Sequence, residues 1–221
     1  MDKLDNEQIE KLRRDYQSAP FGVDDVFENP IRQFKIWFGE AMSSDVYEPN
    51  AMTLATVTEN GGADARIVLL KGIEEEGFSF YTNYDSQKGQ EIAQNDQVAL
   101  VFLWAELHRQ VRIQGTAYKL PEKTSTEYFQ SRPKGSQLGA WTSPQSQVIE
   151  GREVLEKRYK ALENKHAEDE VLPKPPNWGG YIVKPHQIEF WQGRSSRLHD
   201  RVRYTIEELA PKRWRIERLA P

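Results

Sequence analysis

Between residues 51 and 120 the chain runs strand, turn, strand, with few connections long enough for a parallel crossover. AMTLATVT at 51–58 is a strand, and Asn60-Gly61 is a hairpin signal into the next one. Ile67-Val68-Leu69-Leu70 reads as a buried strand, and the acidic turn Glu74-Glu75-Glu76-Gly77 leads into another at 78–82. VALVFLW at 98–104 is nearly all apolar and predicts a central strand. Within 108–120, Val111, Ile113, Gly115 and Ala117 alternate with Gln110, Arg112, Gln114 and Thr116, as in a half-buried antiparallel strand. This succession predicts a mainly β fold with flanking helices (α+β), its antiparallel sheet closed or nearly closed into a barrel.

Caps and periodicity place the helices. Asn29 is an N-cap and Pro30 a first helical residue. Ile31, Phe34, Trp37, Phe38 and Ala41 follow at helical spacing, giving one core face. Further helices are expected at 86–94, 121–132 and 146–166, the last with Glu153/Lys157 and Glu156/Lys160 as i,i+4 pairs. Pro173, Pro175 and Pro176 form a stiff connector before strand-like sequence at 178–191, 201–206 and 213–219. Residues 5–16 read as a polar, charged helix. The expected organisation is one domain over 1–221, with 1–20 a mobile N-terminal arm or lid.

Composition removes several classes of function. The chain has no cysteine, so disulfides, thiolate metal sites and cysteine nucleophiles are all excluded. No apolar run approaches the roughly 18 residues that span a bilayer, and MDKLDNEQIEKLRRDY lacks a signal-peptide core. A soluble, cytoplasmic protein with no membrane partner is expected. Net charge is −4, yet residues 194–221 carry eight Arg/Lys against four Asp/Glu, so the other 193 residues sum to −8. That balance argues against a nucleic-acid partner, which needs a broad cationic face, and for a focused pocket for a small anion. A charged tail without a ligand has the same pattern.

Three constellations carry chemistry. Arg66 and Lys71 bracket the 67–70 strand, and a buried strand seldom opens and closes on cations unless they meet an anion. Tyr81, Thr82 and the helix opening Asp85-Ser86-Gln87-Lys88 add hydroxyls, an ammonium and free N–H groups, the parts of a phosphate cradle. A surface hairpin with solubilising charges is the alternative. Tyr128, Arg132 and Ser136 recur every four residues, and one unbroken helix would align them as a second anion clamp. A helix end capped by its own Arg and Ser is the competing reading. Arg197, His199 and Arg201 alternate, and an extended chain would crowd them on one side, where only an anion or aromatic ring relieves their repulsion. No Gly-x-Gly-x-x-Gly, Walker or His-Glu-x-x-His motif is present, and four scattered histidines make no metal centre. Two anion clamps with few acids or nucleophiles point to a cofactor that carries the reaction.

Longer motifs then accumulate in order: LRRDY at 12–16, RIVLLKG at 66–72, FYTNYDSQKG at 80–89, RQVRIQG at 109–115 and YFQSRPKGSQLGAW at 128–141. SPQS at 143–146, WQG at 191–193, RLHDR at 197–201 and ERLAP at 217–221 complete the series. Together they resemble the pyridoxine/pyridoxamine 5′-phosphate oxidase family over nearly the whole chain. The resemblance implies a split-barrel FMN-binding fold, a homodimer with flavin at the subunit interface, and O2-dependent oxidation of pyridoxine or pyridoxamine 5′-phosphate to pyridoxal 5′-phosphate with H2O2 release. It implies FMN contacts from Arg66, Ile67, Val68, Leu69, Leu70, Lys71, Tyr81, Thr82, Gln87, Lys88, Gln110, Gln145, Ser146, Trp191 and Arg201. For substrate it implies Lys71, Tyr128, Arg132 and Ser136 on the phosphate, and Arg197, Leu198 and His199 near the pyridine ring. Arg13, Arg14, Asp15 and Tyr16 would form the closing arm, and Arg197 and His199 would be the catalytic pair. Gln87 departs from the Arg or Lys that the family usually carries there. Two other readings remain at this stage: a split-barrel flavoprotein with a different substrate, and a non-enzymatic carrier of flavin or pyridoxal phosphate.

Overall fold

Asn29 caps the first helix by accepting hydrogen bonds from the Ile31 and Arg32 N–H groups at 2.8 and 3.3 Å, and Pro30 occupies the first turn. This helix, α1 (Pro30–Met42), appears in a computed structural model that describes Tyr16 and residues 18–209 and 212–221. The helix expected at 5–16, and with it Arg13, Arg14 and Asp15, lies outside the described residues. The chain divides into two compact units, one of Asn50–Phe102 and Ile113–His186, the other of Met1–Pro49, Leu103–Arg112 and Gln187–Pro221.

The first unit is an antiparallel sheet carrying four helices. Its strands are β1 (Ala51–Val57), β2 (Ala63–Leu69), β3 (Gly72–Ile73), β4 (Phe78–Asn83), most of β5 (Gln97–Trp104), and parts of β6 (Arg109–Lys119) and β7 (Trp178–Gln192). Their order is β2-β1-β5-β6-β7-β4-β3. Helices α2 (Gln87–Gln94), α3 (Glu122–Ser131), α4 (Lys134–Thr142) and α5 (Arg152–Lys165) complete it. Gly61, at φ 78°, makes the β1–β2 turn that Asn60-Gly61 announces. Gly180 pairs with Tyr81 across β4 and β7, and a Cβ there would lie 2.7 Å from the Tyr81 ring, so glycine leaves that ring its place. The alternation expected in β6 is found: Val111, Ile113, Gly115 and Ala117 are buried.

Two sequence expectations are corrected here. Residues 67–70 are not a buried strand: β2 is an edge strand, with Ile67 65% and Leu69 37% exposed, because among the described residues only β1 pairs with it. β5, by contrast, is the central strand expected, flanked by β1 and β6, and is buried on one face. The helix expected from 146 begins at Arg152, because Ser146 has φ 71° and Gly151 is fully extended. Its recorded ion pair is Arg152–Glu156, rather than the two predicted ones.

The second unit packs α1 against the remaining parts of β5, β6 and β7 and the strands β8 (Asp200–Leu209) and β9 (Lys212–Arg218). The predicted apolar face of α1 is the buried one: Phe34 lies 6.0 Å from Trp104, and Trp37 meets Phe190 edge-on at 5.2 Å. β8 pairs with β7 and β9, and the buried Tyr204 donates to the Phe27 carbonyl at 2.7 Å.

Candidate functional site

A cavity of about 810 Å³ opens in the first unit. β2, β4, the start of α2, the corner between α3 and α4, and the first residue of β7 wall it. Ser86 caps α2: its Oγ accepts from the Gly89 N–H at 3.4 Å and donates to the Asn83 carbonyl at 2.6 Å. That cap turns Lys88 inward. Its ammonium is buried and donates to Ser86 Oγ at 3.3 Å and Thr82 Oγ1 at 3.5 Å. No ion pair to Lys88 is recorded among the described residues. Burial, then the nearby Arg66 cation, pulls its pKa below 10.5, while Glu91 and Asp64 partly restore it. Gln145 Oε1 closes the cradle, 3.3 Å from Thr82 Oγ1 and 3.4 Å from the Asn83 N–H.

Arg66 stands beside this cradle but is already engaged. Its guanidinium donates to Thr56 Oγ1, to Asp64, and to the buried Glu91 at 3.0 Å. Glu91 also accepts from Thr56 Oγ1 at 2.5 Å and from Gln87 Nε2 at 3.0 Å, and Gln87 reaches Asp64 at 3.0 Å. The anion that the sequence demanded for Arg66 is therefore supplied by the protein itself. Glu91→Gln should destabilise the fold by about 2 kcal/mol, the worth of a charge-assisted bond. For a chain of this size that lowers Tm by roughly 4–8 °C in a thermal melt.

The second clamp is not on one continuous helix: the helix expected over 121–132 ends at Ser131. Arg132 leaves the helical region, at φ −74° and ψ 150°, because the following Pro133 excludes it. α4 then starts afresh, and Tyr128, Arg132 and Ser136 meet at the corner between two helices instead of along one face. Gln137 braces that corner, donating to the carbonyls of Gln130 at 3.1 Å and Arg132 at 2.7 Å. Tyr81, Tyr128 and Trp178 form a stack, with Tyr81–Tyr128 centroids 3.8 Å apart and Tyr128–Trp178 planes only 7° from parallel. The Arg132 guanidinium lies 4.8 Å from the Trp178 ring centre, and its Nη1 is buried without a hydrogen-bond partner among the described residues. Burial lowers the Arg132 pKa, and Tyr128 partly offsets this. Burial raises that of Tyr128, so the phenol keeps its proton at neutral pH.

The cavity thus collects twelve of the expected residues: Arg66, Ile67, Val68, Leu69, Lys71, Tyr81, Thr82, Lys88, Tyr128, Arg132, Ser136 and Gln145. Leu70 turns into the core, and Gln87 and Ser146 do not line the cavity. Sequence reasoning missed Asn83, Trp178 and, behind the wall, Glu91. The position of Glu91, three residues after Lys88 on α2, was the available signal for it.

Gln110, Trp191, Arg197, Leu198, His199 and Arg201 belong to the other unit. There Trp191 and His199 rings lie 4.6 Å apart, and Tyr16 approaches His108 at 4.5 Å and His199 at 5.9 Å. His199 Nδ1 accepts from the Arg194 N–H at 3.1 Å. The expected extended run of Arg197, His199 and Arg201 is not found. Ser195–Arg197 forms a 3-10 turn, with Ser196 and Arg197 at φ 55° and 61°, which breaks the alternation. Arg197 is exposed, whereas Arg201 is held by Glu189 at 2.8 Å and the Ala220 carbonyl at 2.8 Å.

Fold and cavity define a mainly antiparallel β protein with a cavity walled by cationic, hydroxyl and aromatic side chains. The pyridoxamine 5′-phosphate oxidase model matches residues 38–166, and the model for the pyridoxine 5′-phosphate oxidase C-terminal dimerisation region matches 178–221. This chain belongs to the pyridoxamine 5′-phosphate oxidase family. It is 50% identical to the pyridoxine/pyridoxamine 5′-phosphate oxidase of Salinibacter ruber, over 97% of this chain and 99% of that one. It is 54% identical to that of Acaryochloris marina, over 96% and 95%. Among solved structures, PhzG from Burkholderia lata, in complex with tetrahydrophenazine-1-carboxylic acid, matches with a TM-score of 0.84 and 32% identity, over 90% of this chain and 95% of that one. A pyridoxamine 5′-phosphate oxidase-related, FMN binding protein from Nostoc punctiforme shares the fold, with a TM-score of 0.68 and 19% identity over 89% of this chain and all of that one. The split-barrel expectation agrees with these neighbours.

Proposed function

We propose that this chain is an FMN-dependent oxidase that converts pyridoxine or pyridoxamine 5′-phosphate to pyridoxal 5′-phosphate, with O2 as acceptor and H2O2 as second product. The observation that carries this reading is one cavity holding two incomplete anion sites: a buried Lys88 with only neutral acceptors, and Arg132 with an orphaned Nη1. A desolvated cation without a direct ion pair is costly, and a phosphate at each place lowers that cost.

The donor set around Lys88 suits the FMN phosphate, with Thr82, Ser86 and Arg66 beside the ammonium. FMN supplies a two-electron acceptor that O2 can reoxidise. Arg132, Lys71, Ser136 and the protonated Tyr128 grip the substrate phosphate, anchoring the molecule by its non-reacting end. The Tyr81–Tyr128–Trp178 stack excludes water and favours a flat ligand. The family resemblance assigns Arg197 and His199 to the pyridine ring, with His199 as a hydrogen-bonding group and not an essential base. The enzyme acts as a homodimer, a reading supported by the match to a dimerisation region over residues 178–221.

Peroxide release tests the reading. Purified protein reconstituted with FMN should turn yellow and evolve H2O2 with either B6 phosphate, and with neither when FMN is withheld. A colourless protein after reconstitution, or a yellow one that makes no peroxide with both substrates, would sink it.

A further inference from the structure

Arg132 raises a question that its phosphate role does not answer. It follows a helix end, precedes Pro133 and has a long side chain, yet its Nη1 is buried and aimed at no protein acceptor. Something must hold the guanidinium plane while the site is empty of phosphate. Gln137 fixes only the Arg132 carbonyl, so the side chain is not held from the backbone. The remaining close surface is Trp178, whose ring centre lies 4.8 Å from the guanidinium carbon; Phe129 is farther, at 5.7 Å.

Trp178 is itself fixed on three sides. Its ring packs with Phe129 and Leu138 in a buried cluster and lies nearly parallel to Tyr81 and Tyr128. Its carbonyl accepts from the buried Lys174 ammonium at 2.6 Å. A rigid aromatic face below a guanidinium attracts the cation and leaves its N–H edge free for a planar, bidentate acceptor.

Resting on the function proposed above, we infer that Trp178 is a positioning residue: it holds the Arg132 fork ready for the substrate phosphate and so sets the preference for phosphorylated over unphosphorylated substrate. A purely structural Trp178 would affect both kinds of substrate alike. A positioning Trp178 acts only where a phosphate is present.

The test uses FMN-loaded protein, as wild type, Trp178→Leu and Trp178→Phe. Inorganic phosphate is titrated into each, and kcat and KM are measured for pyridoxine 5′-phosphate and for pyridoxine. Trp178→Leu should raise the Kd for inorganic phosphate about tenfold. It should lower the phosphorylated-to-unphosphorylated ratio of kcat/KM about as much, with the loss in KM. Trp178→Phe keeps a ring under the guanidinium and should recover most of both. An unchanged phosphate Kd, or an equal loss on the two substrates, overturns the inference. If Trp178→Leu shows no cooperative melt, the Phe variant decides: phosphate must change the tryptophan fluorescence of wild type more than that of Trp178→Phe, and an equal response overturns the inference. A wild type that binds inorganic phosphate but oxidises neither substrate counts against the proposed function instead.

Discussion

Arg132→Ala is expected to raise KM for pyridoxine 5′-phosphate several hundredfold while FMN stays bound. Truncating one partner of a desolvated charge pair costs about 3–4 kcal/mol, and each 1.4 kcal/mol is a factor of ten. The expected loss falls on phosphate binding because Arg132 Nη1 has no other partner to lose. The same change should leave the Tm of the ligand-free protein equal or higher, since it removes a half-buried cation that desolvation already disfavours. Steady-state kinetics with a parallel melt check both. A KM within threefold of wild type would show that Arg132 does not hold the substrate.

Lys88→Ala should weaken FMN about a hundredfold, the value of a charge-assisted contact of roughly 3 kcal/mol, and riboflavin far less, since riboflavin lacks the phosphate. Fluorescence titration of each flavin separates the two effects. The pH dependence follows from the lowered pKa of Lys88. With no phosphate bound, the unfolded chain holds that proton more tightly than the fold does. Stability contributed by this group therefore rises with pH through the window between its lowered folded value and 10.5. FMN affinity moves the other way, falling as Lys88 deprotonates below the pH at which an ordinary lysine would. An FMN affinity that is flat with pH across that window, in a variant-independent way, would reject Lys88 as the phosphate's partner.

Gln87 and Arg66 show how the tertiary structure revised the cradle. Gln87 stands where the family usually carries Arg or Lys, and in the structure it bridges Asp64 and Glu91, which in turn hold Arg66. The phosphate site thus depends on Lys88 and its hydroxyls, with Arg66 fixed by protein carboxylates at its side. No local pattern predicts that arrangement, because Asp64 and Glu91 are 27 residues apart and meet only once β2 and α2 are in place.

What the sequence determined by itself was whatever depends on neighbours along the chain. Alternation placed β6, Asn29-Pro30 placed α1, Asn60-Gly61 placed a hairpin, and the Arg, Lys, Ser and Tyr residues of both clamps were legible by type. The tertiary structure decided which residues face which. It made residues 67–69 part of an edge strand, put Tyr128, Arg132 and Ser136 at a corner between two helices, curled 195–197 out of extension and set Trp178 beneath a guanidinium. The physical reason is that hydrogen-bonded periodicity is local, whereas burial, charge pairing and ring stacking depend on segments that meet only in the folded chain.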